Sequence, residues 1–159
     1  MAATYTVDAS VFLSAFNPRE PRHEESYRLL ALMRDSATPI IVPTLLLPEV
    51  AAAVGRGQGD ADLAQRFSAA LRRLPNVVWV TLDIILAEQS AALAARHRLR
   101  GSDAVYAAVA LRFGSTLVTL DRQQRERITE TVAAQWPEEA LKEWPGGAAN
   151  EQSTSHSVD

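Results

Sequence analysis

The 159-residue chain is predicted to be an α/β protein, a parallel sheet with helices on both faces. Two observations carry that prediction. Short β-branched runs recur along the chain, and alanine- and leucine-rich segments of helical length lie between them. Strands separated in this way call for parallel pairing through right-handed crossovers.

The elements follow in order. Thr4-Tyr5-Thr6-Val7 reads as the first strand, followed by a short helix over Ala9–Phe16. Residues 21–35 place Tyr27, Leu29, Leu30 and Met33 where one helical face would bury them. Pro39-Ile40-Ile41-Val42 is the second strand, and residues 44–55 and 60–73 are helical. Between those helices, Gly55-Arg56-Gly57-Gln58-Gly59 superficially resembles a phosphate-cradling loop. That fingerprint needs a strand immediately before it, and here a helix precedes, so the segment reads as a hinge. Val77-Val78-Trp79-Val80 is the third strand, residues 83–98 and 103–113 are helical, and Ser115-Thr116-Leu117-Val118-Thr119 is the fourth strand. Val132-Ala133-Ala134 suits a fifth, edge strand, and Trp136-Pro137 through Trp144 a short amphipathic helix. Residues 1–145 thus read as one domain, and 146–159, small and polar with nothing to bury, as a disordered tail.

Composition narrows the chemistry. With no cysteine, disulfides, thiolate catalysis and cysteine-ligated metals are excluded. There is no bilayer-length apolar run and no charged-then-apolar leader, which favours the cytoplasm. The net charge of −3 is unevenly spread: residues 1–128 balance at +2, with arginine their only cation, and residues 129–159 at −5. Arginine suits phosphate through its planar fork, although a skewed genome composition gives the same bias. The histidines, His23, His97 and His156, have no paired ligand spacing. Neither a Gly-x-Ser-x-Gly elbow nor a Walker-type loop is present.

Open parallel sheets bind ligands beyond the carboxyl ends of their strands. Asp8 follows the first strand and Asp121 the fourth, Glu49 lies in the helix after the second, and Asp103 opens the helix leading into the fourth. Four acids could share one rim. Taken singly, three of them are explained by capping: Asp8 before its helix, Asp103 after Ser102, and Asp121 with Gln124 three residues on. Asp83 before Ile84-Ile85-Leu86 is read as a cap without a rival. Glu49 resists that account, because its helical neighbours Leu45, Leu46, Ala52 and Ala53 are apolar and no Arg or Lys stands close by in sequence. An ionised carboxylate on such a face is costly unless paired or bound to metal. Clustered acids favour a hard divalent cation, Mg²⁺ or Mn²⁺, and an acid-only site fits phosphodiester hydrolysis better than zinc chemistry.

At these residues the sequence resembles the PIN-domain family, specifically VapC-type toxins. The matching stretches are Val7-Asp8-Ala9-Ser10-Val11, Val42-Pro43-Thr44 with Leu47-Pro48-Glu49-Val50, Arg100-Gly101-Ser102-Asp103 through Ala110, and Leu117-Val118-Thr119-Leu120-Asp121. They span roughly residues 4–128. The resemblance implies a three-layer α/β/α sandwich, a Mg²⁺ or Mn²⁺ site and cleavage of RNA. By position it makes Asp8, Glu49, Asp103 and Asp121 the catalytic and metal-binding acids, with Ser10 and Thr119 in support. Arg96, Arg98 and Arg100, just before Asp103, would contact phosphates, or form a solvated helix end. It further implies an antitoxin partner and a homodimer. One rival is a haloacid-dehalogenase-like phosphatase with Asp8 as nucleophile, but that chemistry wants a second Asp where Ser10 stands. The other is a PIN-fold module that binds without catalysis.

Overall fold

The computed structural model describes residues 2–146. The elements run β1 (Tyr5–Val7), α1 (Ala9–Phe16), α2 (His23–Asp35), β2 (Ile40–Pro43), α3 (Leu46–Gln58), α4 (Ala61–Arg72) and β3 (Val77–Val80). They continue with α5 (Ile84–His97), α6 (Gly101–Phe113), β4 (Thr116–Val118), α7 (Arg122–Ile128), β5 (Ala134–Gln135) and α8 (Pro137–Lys142). The strands form one sheet in the order β3-β2-β1-β4-β5, every pair parallel. It is an α/β sandwich, with helices layered on the sheet. Among the described residues no helix is long and apolar enough to cross a membrane.

The order of the strands decides where a ligand can enter. The chain winds outward from β1 through β2 to β3, then returns to the other side of β1 for β4 and β5. Strand order therefore reverses between β1 and β4, and the crossovers leave a crevice beyond their carboxyl ends. Tyr5, Thr6 and Val7 pair with Thr116, Leu117 and Val118, and the Thr6 and Ser115 hydroxyls bond at 2.6 Å within the core. Across β2, β1 and β4 lies α6, whose residues Asp103–Ala110 are all buried. A helix apolar on every side belongs inside, and alanine lets this one approach the sheet closely. Its outer neighbour is α5, while α1, α2 and α8 pack together.

Several boundaries differ from the sequence expectation. The helix expected to end at Gly55 continues to Gln58 and stops at Gly59, whose φ of 65° is the left-handed turn glycine adopts most easily. The hinge is thus confined to Gly59 and Asp60, and Asp60 caps α4 by accepting the Leu63 N–H. Tyr27, expected on the buried face of α2, is 58% exposed, and Ser26, Leu29 and Met33 form that face instead. The edge strand is Ala134–Gln135, beginning at the last residue of the expected Val132–Ala134 run. Val132 turns into the core instead, its N–H bonding the Ile128 carbonyl. From residue 147 onward, the expected tail lies outside the described residues.

The chain after β5 closes the fold with a clasp. Glu139 accepts the Trp136 N–H, and its two oxygens share one terminal nitrogen of Arg125, Nη2, at 2.8 and 3.0 Å. Glu138 pairs with Arg22, and the Arg22 and Arg125 guanidiniums lie over the Trp136 ring at 5.7 and 5.0 Å. Trp144 stacks on Tyr5 of β1.

Candidate active site

The carboxyl ends of β1 and β4 deliver Asp8 and Asp121, and both cap the helix that follows. Asp8 accepts the Ser10 N–H at 2.9 Å, and Asp121 accepts the Gln124 N–H at 3.0 Å. The capping explanation therefore holds for both and does not exclude a further role, since the second oxygen of Asp8 is left free and that of Asp121 reaches Arg100. The expected box at Asp121 is only half formed. The buried Gln124 side chain turns away to donate to the Asp103 carbonyl. Asp103 caps nothing: Arg100 takes the N-cap position of α6, and Asp103 lies in the first turn.

These acids share one cleft. Asp8, Glu49, Asp103 and Asp121 all line an open cavity of about 470 Å³, with Ser10, Arg100 and Arg56. The apolar neighbours of Glu49 prove to be the wall of that cleft. Leu46 is buried, but Leu45, Ala52 and Ala53 border the cavity, so Glu49 stands between core and solvent. Its Oε1 is nevertheless buried without a hydrogen-bond partner. Arg56, two helical turns further along α3, borders the same cavity, but the cation that acts on Glu49 is Arg100, from the start of α6.

Burial and mutual repulsion govern the charges. The Asp8 carboxyl is pushed above its ordinary value mainly by desolvation, against bonds from Ser10 and with added repulsion from Asp103 and Asp121. Glu49 is raised by desolvation, partly opposed by the nearby Tyr106 hydroxyl and reinforced by Asp8 and Asp103. Asp103 is raised by desolvation as well, although Arg100 pulls the other way. Arg100 is the site's own cation. It donates from Nε to Asp103 at 2.9 Å and also pairs with Asp121, while its side chain stays 69% exposed.

The remaining expected residues divide. The Ser10 hydroxyl accepts the Leu120 N–H at 3.1 Å, and the Thr119 hydroxyl accepts the Asp121 N–H at 3.0 Å, so each fixes the turn that leaves β4. Arg96 and Arg98 are exposed outside the cavity lining, and Arg98 is instead the left-handed C-cap of α5. Sequence reasoning missed Arg56 and Tyr106. The ring of Tyr106 is fully buried, and its hydroxyl stands beside the Glu49 and Asp8 carboxylates.

Among the described residues, no three acidic or histidine side chains are drawn tightly enough together to hold an ion as they stand. Two of the four acids direct oxygens at Arg100 instead. The donor set fits a hard divalent cation all the same. It is all oxygen, it includes the partnerless Glu49 Oε1, and three of its carboxyls are raised as crowded, desolvated acids are.

Comparison with known proteins bears on the fold and the family. No protein of curated function is matched by the sequence. Among solved structures, VapC20 of Mycobacterium tuberculosis, a sarcin–ricin loop cleaving toxin, superposes with a TM-score of 0.65 at 24% identity, covering 76% of this chain and 92% of that one. PAE2754 of Pyrobaculum aerophilum gives 0.63 at 26% identity over 94% and 100% of the two chains. A toxin–antitoxin complex from Klebsiella pneumoniae gives 0.61 at 16% identity over 85% and 98%. The PIN domain family model matches residues 5–128, from the first residue of β1 to the last of α7, and the chain belongs to that family.

Proposed function

We propose that the chain is a divalent-metal-dependent endoribonuclease hydrolysing phosphodiester bonds of cytoplasmic RNA, and the toxin of a toxin–antitoxin pair. The observation that carries the reading is the convergence of Asp8, Glu49, Asp103 and Asp121 on one open cleft at the switch point of the sheet. Asp8, Glu49 and Asp103 would hold Mg²⁺ or Mn²⁺ or its waters, and Asp121 would orient the attacking water. Bound there, the metal would supply an activated water and neutralise charge developing on the phosphate. Ser10 and Thr119 keep Asp8 and Asp121 in register through the bonds described above. Arg100 and Arg56, at two points of the cleft lining, would take up phosphates, and Arg96 and Arg98 would meet flanking ones.

The toxin role is supported by the four resembling stretches and by neighbours that include one named toxin and one toxin–antitoxin complex. An antitoxin partner belongs to this proposal. So does a homodimer, supported by Ile84 and Ile85 at the start of α5, 72% and 59% exposed.

The test is cleavage of a mixed RNA pool with Mn²⁺ or Mg²⁺, run beside Asp8→Asn and Glu49→Gln. Wild type is expected to cut and both variants to be inert. Wild type without activity would make the chain a PIN-fold binding module, and equal activity in all three would reveal a contaminant.

A further inference from the structure

The Tyr106 hydroxyl is a buried polar group that the proposed chemistry leaves unused. Tyr106 lies one turn after Asp103 on α6, on the same side of the helix. Its ring is fully buried, and its hydroxyl has no hydrogen-bond partner among the described residues. That hydroxyl faces the Glu49 carboxylate, and the N–H of Ala9, at the start of α1, approaches it from another side. Glu49 Oε1 is equally buried and equally without a partner. A donor and an acceptor thus confront each other without closing a bond of ordinary length and angle.

The other three acids are each held. Asp8 is fixed by the Ser10 N–H, Asp103 by Arg100, and Asp121 by the Gln124 N–H and Arg100. Glu49 has the longest side chain of the four and the most rotamer freedom to lose on binding anything. Packing accounts for the ring of Tyr106, but a core that needed only bulk would carry phenylalanine here. An N–H can meet only the lone pairs of a hydroxyl, so the single proton of Tyr106 is left for Glu49.

We infer that Tyr106 is a positioning residue, whose hydroxyl donates to Glu49 Oε1 and holds that carboxylate with its other oxygen towards the cleft. The inference rests on the metal-site reading above. A carboxylate tethered in this way meets a cation already oriented, and removing such a tether typically weakens metal binding about 10- to 100-fold.

The experiment titrates Mn²⁺ alone into the full-length, RNA-free chain by calorimetry and follows the melting temperature without metal. Tyr106→Phe is expected to lose about tenfold in Mn²⁺ affinity, and its metal-free melting temperature to fall, because the buried Glu49 Oε1 loses its donor. Mn²⁺ affinity unchanged from wild type would overturn the inference. Glu49→Asp draws the carboxylate back from Tyr106, and in that background Tyr106→Phe is expected to add nothing. An undiminished effect there would show that the hydroxyl does not act through Glu49. Asp8→Asn separates the two claims. If wild type and Asp8→Asn both fail to bind Mn²⁺, the metal site falls and this inference with it. If Asp8→Asn alone loses Mn²⁺ and Tyr106→Phe keeps it, only this inference falls.

Discussion

The clasp at α8 and the rim beyond β1 and β4 are both built from acids and arginines, but they are balanced differently. In the clasp, Glu138 has Arg22, Glu139 has Arg125, and the two guanidiniums share the face of Trp136. At the rim, Arg100 serves both Asp103 and Asp121, while Asp8 and Glu49 make no ion pair. Asp8, Glu49 and Asp103 are all pushed upward, first by desolvation and then by repulsion from neighbouring acids. Matched charges hold a helix in place. A rim short of cations retains an electrostatic demand that an ion from solution can meet.

The largest effect is expected from breaking the rim. Asp8→Asn keeps a capping side chain but removes the charge. RNA cleavage should fall roughly 10²-fold or more, the several kcal/mol a catalytic metal contributes. The metal-free fold should melt no lower, and the stabilisation by added Mn²⁺ should shrink. Breaking the clasp should do the reverse. Arg125→Met removes an ion pair and a cation–π contact, costing about 1–2 kcal/mol in a urea melt. Cleavage per folded molecule should not change, and a catalytic loss there would erase the contrast between the two regions.

Acidity sharpens the contrast further. A carboxyl raised by folding binds its proton more tightly in the native state, so it favours the fold at low pH. That contribution is lost as pH climbs from the ordinary values, 3.8 for Asp and 4.5 for Glu, through the raised ones. In chelator, wild type should therefore lose ground to Asp8→Asn as pH rises through this window, followed by thermal melts of both. Parallel melting curves would mean that the rim carries no such strain. The smallest effect belongs to Arg56→Ala. It should raise the RNA KM a few-fold at constant kcat and lower the salt slope of binding by about 0.7, one single-strand phosphate contact.

What the sequence disclosed depended on how local each signal was. Asp8 and Asp121 were legible because the strand before each is a short β-branched run, and Glu49 because a carboxylate breaks an apolar helical pattern. Tyr106 was not, since Asp103-Ala104-Val105-Tyr106-Ala107-Ala108 reads as core, and only the fold brings its hydroxyl to α3 and α1. Arg56 was lost to a boundary. Glycine in a helix costs about 1 kcal/mol, so Gly55 looked like an end, but packing of α3 on α4 carries the helix past it. The two-residue β5 was too short to show any alternation, and pairing with β4 alone sets its register. Arg100 was noticed for its charge, but its bridge to Asp121 joins parts of the chain that no spacing connects.

The pairing of β1 with β4 also bears on when the site comes into being. Tyr5–Val7 leave the ribosome well before Thr116–Val118, which emerge only after eight intervening elements. Until then Asp8 has neither the Val118 carbonyl that binds its N–H nor the Ser10–Leu120 bond that joins α1 to the end of β4. Contacts so distant in sequence form late, after the cost of loop closure has been met. A nascent or prematurely ended chain that stops before Thr116 therefore carries Asp8, Glu49 and Asp103 without the strand that gathers them. For a protein proposed to cut RNA, synthesis and activity are kept apart in time by topology alone.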